Sequence, residues 1–253
     1  MRLDKYLADM TGISRLEIKK LIKKGNVKVN DIVIKTNDYK VKEDDVVCLN
    51  DKQIKYQEFE YYILNKPAGY LSATEDKYDK TIMELIDIKR KDLVPVGRLD
   101  KDSEGLILLT NDGKLNHYLL SPKNHVSKKY YVEVDKEIVE NAKELFEKPM
   151  DLGDFITKPA IYENIDSHRA YLTICEGKFR QVKRMFEKIG TNVTYLKRIE
   201  FKNLKLGDLE IGKYRPLNKE ELDELKRGLW VTFGIIVCFI FLYQRWSKRY
   251  AHK

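Results

Sequence analysis

The chain has 253 residues, 43% hydrophobic and 35% charged, a composition that excludes a disordered protein and fits a small domain plus a middle-sized one. The formal net charge is +8, but six of the 48 Lys and Arg residues and no Asp or Glu fall after residue 225, so the preceding part carries only +2. Nucleic-acid binding must therefore be argued from local basic patches.

Three cysteines and four histidines are scattered along the chain, without the paired spacing that metal sites show. The polar, amphipathic N-terminus does not have the pattern of a signal peptide. We therefore expect a cytoplasmic protein without a bound metal.

Residues 1–50 predict two helices followed by short strands. Leucine and methionine at helical spacing predict a first helix that stops at Gly12. Ser14, with a glutamate three residues later, predicts a capping box that opens a second helix, and Gly25 ends it. Alternating Val and Ile residues then predict short strands between 27 and 49.

Polar residues 51–58 predict a linker to a larger domain over 59–225. Strand-like and helical stretches do not alternate regularly there, which predicts a mixed or antiparallel α+β fold rather than a doubly wound one. Strands are predicted at 94–99, 106–110, 130–134 and 170–174, and helices at 82–86, 138–146 and 181–189.

The second predicted helix carries a basic face that includes Arg15, Lys19, Lys20 and Lys23. Such a face can neutralise several phosphates, which is the main contribution to sequence-independent binding of nucleic acid. A solvated lysine face is the alternative interpretation.

Three segments of this region resemble the S4 RNA-binding domain: R-L-D-K-Y-L at 2–7, S-R at 14–15 and G-N-V-K-V-N at 25–30. The resemblance implies a small α-L-like module whose two helices present a basic face to structured RNA. The RNA-binding residues that it implies are Arg2, Lys5, Ser14, Arg15, Lys19, Lys20 and Lys23.

The segment 94–113, V-P-V-G-R-L-D-K-D-S-E-G-L-I-L-L-T-N-D-G, combines a strand, a corner, an acidic loop and a second apolar strand. Asp100 comes just after the first strand, two residues from Arg98. A carboxylate so placed can act as a nucleophile that neighbouring cations keep ionised. An aspartate that only caps a turn is the alternative.

The same segment resembles the RsuA-like pseudouridine synthases (the RsuA, RluB, RluE and RluF family). Further matches follow in the family's order: N-K-P-A-G at 65–69, S-P-K-N-H-V-S-K-K-Y at 121–130 and E-G-K-F-R-Q-V-K-R-M-F at 176–186. The resemblance implies isomerisation of a uridine in ribosomal RNA without a cofactor. The last two segments are most similar to the small-subunit (16S) branch, and the large-subunit (23S) branch is the alternative.

Residue roles follow from this resemblance alone. Asp100 is expected to be the nucleophile or base, Tyr130 to stack on the target base, and Lys183 to form an ion pair with Asp100, with Arg184 as the substitute. Arg98 is expected to help flip the uridine or to hold its phosphate. Arg98, Lys128 and Arg184 are the further RNA contacts that it implies.

Two other functions fit parts of this pattern. A catalytically silent S4-type RNA-binding or ribosome-assembly factor would not need Asp100, Tyr130 and Lys183 together. A hydrolase of glycosidic bonds would need a second carboxylate across the bond, and Asp102 and Glu104 are nearby only in sequence.

The tail, 226–253, contains 15 uncharged residues at 229–243 between basic flanks. This run is shorter than the roughly 20 residues that span a bilayer. It predicts an apolar helix with three interpretations: a membrane contact, a segment packed on the body or a second protomer, or an added tail without a role. For the rest we expect a monomer that acts on a small-subunit precursor particle.

Overall fold

The computed structural model describes residues 1–229. These form two compact units, one made of 1–60 with 86–94 and the other of 61–85 with the chain from 95 onward.

The predicted apolar run at 229–243 lies outside the described residues apart from Leu229. Within the part that the structure describes, no helix is both long and apolar enough to cross a membrane. A helix over 219–229 is capped by Asn218, whose side-chain oxygen accepts from the Glu221 amide at 2.8 Å.

The first unit is built as its sequence predicts, from two helices and a small sheet. Gly12 ends the first helix with a positive φ of 69°, and Ser14 caps the second by accepting from the Glu17 amide at 3.3 Å. The apolar faces of both helices join the core of a four-stranded antiparallel sheet of order β2-β1-β3-β4. The elements are α1 (Leu3–Thr11), α2 (Arg15–Lys23), β1 (Val27–Val29), β2 (Ile32–Val33), β3 (Val47–Leu49) and β4 (Lys52–Ile54).

Strand β4 lies inside the segment 51–58, whose polarity predicted a linker. Asn50 and Asp51 both have positive φ, 50° and 61°, which is the geometry of a tight two-residue hairpin turn. The Tyr6 hydroxyl also donates to the Ile54 carbonyl at 2.8 Å. The polar side chains here are therefore partly those of an edge strand and not of a linker.

Residues 86–94 pack within the first unit, although the sequence predicted them as part of the larger domain. Arg90 is 5% exposed and donates to the Gln57 carbonyl and to the Asp92 carboxylate. A Cβ atom on Gly12 would lie 2.3 Å from the Lys89 carbonyl oxygen, so only glycine allows this approach. These contacts join segments about 30 to 80 residues apart, which local sequence patterns do not encode.

The second unit contains a nine-stranded mixed sheet of order β13-β5-β7-β11-β8-β10-β9, with β12 beside β11 and β6 beside β7. Strands β7 and β11 pair in parallel, whereas β8 is antiparallel to both of its neighbours. The predicted mixed α+β class is thus confirmed. The strands are β5 (Tyr61–Lys66), β6 (Val94–Pro95), β7 (Glu104–Thr110), β8 (Lys128–Val134), β9 (Ile161–Asn164), β10 (Arg169–Ile174), β11 (Val193–Phe201), β12 (Leu204–Lys205) and β13 (Tyr214–Pro216).

Helices cover one face of this sheet over a core that includes Val132, Leu172, Phe146 and Phe186. Three predicted elements are shorter than expected. The strand predicted at 94–99 stops at Pro95, and Gly97 after it has a φ of 76°, outside the extended region. The helix predicted at 138–146 begins at Ala142, and that at 82–86 is a 3-10 turn. The helices are α3 (Gly113–Leu120), α4 (Ala142–Phe146) and α5 (Gln181–Lys188).

Candidate active site

Asp100 lies at the start of a tight turn that follows the Gly-Arg-Leu-Asp corner. The Ser103 amide donates to the Asp100 carbonyl at 3.0 Å and closes this turn. Just before it, the Ser72 hydroxyl accepts from the Leu99 amide at 3.0 Å and donates to the Leu99 carbonyl at 3.1 Å. The backbone on both sides of Asp100 is therefore fixed by hydrogen bonds.

Lys66, at the end of β5, bonds to the backbone of this turn. Its side chain is fully buried, and its ammonium group donates to four carbonyl oxygens, those of Pro67, Asp100, Lys101 and Ser103, at 2.6 to 3.2 Å. Burial lowers the pKa of Lys66 to about 8, against the opposing effect of nearby carboxylates. The sequence singled out the N-K-P-A-G segment but assigned no role to Lys66.

Two cavities meet at Asp100. One, of about 330 Å³, is also lined by Tyr130, Val182 and Leu196. The other, of about 510 Å³, is also lined by Phe179, which is 77% exposed. The volume of the first is within the range of small-molecule sites.

Tyr130 takes the inward position that strand alternation allows. It is 7% exposed, whereas Tyr131 lies on the opposite face of the sheet, directly across from Tyr171. Arg98 is exposed and lines both cavities. The structure therefore brings Asp100, Tyr130 and Arg98 together around one cavity.

Lys183 differs from the prediction, because its partner is Asp102 and not Asp100. The Lys183 ammonium lies 2.6 Å from the Asp102 carboxylate, and this bond lowers the pKa of Asp102 below its usual range. The reason is the turn itself, which reverses the chain after Asp100 and presents the Asp102 carboxylate to α5. The expected ion pair with Asp100 was therefore wrong for this structure.

Arg184, the expected substitute for Lys183, also has a partner other than Asp100. It forms an ion pair with Asp154, and its guanidinium lies over the Phe155 ring, 5.0 Å from the centroid. Glu104 accepts from the Tyr195 hydroxyl at 2.6 Å. Asp102 and Glu104 thus bond to Lys183 and Tyr195, and neither lines the 330 Å³ cavity that Asp100 and Tyr130 share, where a glycosidase would need its second carboxylate.

Two cations that line the same cavity complete the site. Lys128 was expected to contact RNA, and burial, with the nearby Arg198 guanidinium, lowers its pKa to about 8. Arg198 is 2% exposed and was not predicted at all. Its place in β11 gives no signal in the sequence, because a charged residue in a strand usually faces solvent.

The predicted RNA-binding residues of the first unit are exposed with few exceptions. Arg2 and Arg15 both bond to the fully buried carboxylate of Asp4, at 3.1 and 2.9 Å. The Ser14 hydroxyl is used in the helix cap. Lys5, Lys20 and Lys23 are exposed and Lys19 is half-buried.

Among residues 1–229, no group of three or more His, Cys, Asp or Glu side chains is placed to hold a metal ion.

Comparison with known proteins agrees with this geometry. The RNA pseudouridylate synthase family matches residues 60–188, and the S4 domain matches residues 1–47. An uncharacterized RNA pseudouridine synthase of Aquifex aeolicus (strain VF5) is 44% identical, over 90% of this chain and 97% of its own. Ribosomal small subunit pseudouridine synthase A of Escherichia coli (strain K12) is 36% identical, over 88% and 98%. A crystal structure of a pseudouridylate synthase superposes with a TM-score of 0.64 at 35% identity, over 89% of this chain and 99% of that one. The chain belongs to the RNA pseudouridylate synthase family and has an N-terminal S4 domain.

Proposed function

We propose that this protein converts a uridine of small-subunit (16S) ribosomal RNA to pseudouridine, with Asp100 as the nucleophile. The observation that carries the proposal is the position of Asp100, on a turn fixed by hydrogen bonds at the junction of two cavities. The choice of the small subunit is supported by relatives such as the Escherichia coli and Haemophilus influenzae proteins, which are named ribosomal small subunit pseudouridine synthase A.

The reaction is an isomerisation. The bond between uracil N1 and ribose C1′ breaks, the base turns within the cavity, a bond forms between C5 and C1′, and the C5 proton is exchanged for one on N1. Asp100 starts the first step as a carboxylate, and Tyr130 supports the face of the base. Because a paired base cannot reach this cavity, the uridine must leave its helix, at a cost of a few kcal/mol. Arg98 is placed to hold the flipped nucleotide.

Lys183 acts in this scheme through the turn and not on the substrate. Its ion pair ties Asp102 to α5 and so fixes the second corner of the turn that begins at Asp100. We infer that it is a positioning residue.

The test is pseudouridine mapping on 16S and 23S rRNA incubated with the wild type, with Asp100→Asn and with Asp166→Asn as the matched control. Asp166 lies on a surface loop and pairs with Arg169. We expect one new 16S site with the wild type and the control, and none with Asp100→Asn. A 23S site would move the enzyme to the large-subunit branch. RNA binding without any product would favour the silent assembly factor.

We further propose a monomer that acts in the cytoplasm on a small-subunit precursor particle. The support for the particle is the exposed basic face of α2 in the S4 domain, which suits folded RNA. Mapping on naked 16S rRNA and on reconstituted particles, with the mass in solution measured alongside, tests both statements. Faster modification of naked RNA would contradict the precursor particle as substrate, and a stable dimer would contradict the monomer.

For residues 229–243 we propose contact with a membrane surface. The support is their sequence, an uncharged run with Lys and Arg on both sides, which suits apolar contact beside anionic headgroups. Fractionation of cells should place part of the full chain with membranes and all of a chain truncated after residue 228 in the soluble fraction. A full chain found only in the soluble fraction would rule the contact out.

A further inference from the structure

The cavity beside Asp100 has a cationic wall that the scheme above does not use. Arg198 on β11 lies directly across from Tyr130 on β8, and Lys128 is two residues before Tyr130. Cross-strand partners and residues two apart share one face of a sheet. Arg198 and Lys128 therefore lie on the same face as Tyr130, and all three line the cavity with Asp100.

Neither cation has a carboxylate partner within residues 1–229. The Arg198 Nε donates to the Leu106 carbonyl at 2.7 Å, but its Nη2 is buried without a hydrogen bond. The Lys128 ammonium donates to the Val126 carbonyl at 2.9 Å. An unpaired buried donor is unfavourable, and a ligand with an acceptor atom would supply the partner that Nη2 lacks.

Two carboxylates, those of Asp100 and Glu176, line the same cavity, and neither forms an ion pair with Arg198 or Lys128 among the described residues. One oxygen of Glu176 accepts from the Gln181 side chain at 2.7 Å and from the Lys158 amide at 2.8 Å. Both cations also lie near the ring of Phe201. Its centroid is 5.1 Å from the Arg198 guanidinium and 5.6 Å from the Lys128 ammonium. The cavity thus keeps two cations close together without an ion pair to either of them, which favours a ligand that develops negative charge beside them.

We propose that Arg198 and Lys128 bind the carbonyl oxygens of the target uracil and stabilise the negative charge that the base acquires when its bond to ribose breaks. The inference rests on the proposed function. When the N1–C1′ bond breaks, its electron pair stays on the base and spreads over N1, O2 and O4. Hydrogen bonds to these oxygens strengthen as the charge develops, and such interactions are the ones that accelerate a reaction.

The same contacts select uracil over cytosine. Cytosine carries an amino group at C4, whose N–H bonds would face the donors of Arg198 and Lys128. Donor facing donor leaves both sides without an acceptor in a buried site, which is strongly unfavourable.

The experiment compares single-turnover rates on 16S rRNA that contains either uridine or 5-fluorouridine at the target. The rate is measured as loss of the N1-linked nucleoside, because the C5–F bond of 5-fluorouridine prevents the proton loss that completes pseudouridine. The variants are Arg198→Met and Lys128→Met, and the matched control is Lys129→Met, whose side chain lies on the other face and pairs with Glu163. With uridine we expect each test variant to lose about 100-fold in rate, the scale for removing one donor to developing charge. With 5-fluorouridine the loss should be markedly smaller, because fluorine itself stabilises the anionic base. Lys129→Met should match the wild type on both substrates.

A merely structural role would slow both substrates equally, and that result would overturn the inference, as would unchanged rates. Should Arg198→Met fail to fold, Lys128→Met decides the question alone, since its ammonium has one backbone partner. A wild type that forms no pseudouridine on any rRNA overturns the proposed function itself, whereas an active wild type with unaffected variants overturns only this inference.

Discussion

The buried side chain of Lys66 helps to fix the backbone of the turn that carries Asp100. Its ammonium group bonds three carbonyls of the turn 100–103. Those of Asp100 and Lys101 also accept from backbone amides, so the Ser103 carbonyl depends most on Lys66. A lysine is rarely buried, because desolvation of the charge is costly. Here four carbonyl oxygens offset part of that cost, and the turn depends on hydrogen bonds from the Lys66 side chain.

We predict that Lys66→Met lowers the free energy of unfolding by about 1–3 kcal/mol at neutral pH, the cost of leaving buried carbonyls unpaired, and lowers kcat more than it raises KM. Urea unfolding and steady-state kinetics measure these effects. Lys101→Met is the control, because this neighbouring lysine is half exposed and bonds only Asp79 at the surface. An equal effect of both variants would contradict the role given to Lys66.

The pKa of Lys66 also predicts a pH dependence of stability. Its folded pKa, about 8, lies below the ordinary 10.5, so between these values the unfolded chain binds more protons. Stability of the wild type relative to Lys66→Met should therefore rise from pH 8 towards pH 10.5 and be constant below pH 7. Urea midpoints of both proteins across this range check the sign, and a decline would refute it.

Strands β7 and β11 pair in parallel directly after the turn 100–103, which brings Arg198 close to that turn. Gly105 pairs with Arg198 and has a φ of 104°. A Cβ atom there would lie 2.2 Å from the Arg198 carbonyl oxygen and 2.7 Å from its amide nitrogen. Strand packing thus explains the glycine of the D-x-E-G segment, Gly105, since only glycine lets the two backbones approach.

We predict that Gly105→Ala lowers the free energy of unfolding by about 3 kcal/mol or more, as strain and a backbone clash add. Gly153→Ala separates the two causes, because Gly153 also has a positive φ, 96°, but nothing lies within 4 Å of the added Cβ. This control should lose only about 1–2 kcal/mol. Urea unfolding of both proteins is the measurement, and equal losses would show that packing against Arg198 contributes nothing.

At the scale of the whole molecule, charge is concentrated rather than spread. The first 225 residues carry a net charge of only +2, yet the face of α2 bears several exposed lysines. Since Arg2 and Arg15 share the buried Asp4, part of the basic residues of this unit hold its own fold together. Lys20 and Lys23 form no ion pair in the described chain and are the better candidates for phosphate contacts.

We predict that the double variant Lys20→Gln and Lys23→Gln binds rRNA more weakly and with a lower salt dependence. Each lost phosphate contact should reduce the slope of log affinity against log salt by about 0.7–0.9. Binding titrations between low and moderate salt measure this slope. Lys136→Gln with Lys143→Gln, both exposed in the other unit, is the control of equal charge. An unchanged slope in the first variant would exclude α2 as the RNA contact.

Much of the architecture was predictable because it depends on residues close together in the chain. Ser14 and Gly12 set the helix ends through local hydrogen bonds and backbone geometry, and alternating apolar residues set the strands. The motifs around Asp100 and Tyr130 also predicted which residues meet at one cavity. Polarity misled at 51–58, since an edge strand and a linker are both polar.

The sequence by itself determined the family and the α+β class, and it predicted that Asp100 and Tyr130 belong to one site, since each is encoded in a contiguous segment. Only the tertiary structure decided that Lys183 bonds Asp102, that Lys66 supports the turn, that Arg198 lines the cavity and that 86–94 packs with the first unit. The physical reason is the same in each case. These contacts join residues tens of positions apart, and their partners depend on the direction of a turn, the pairing of strands and the burial of a charge.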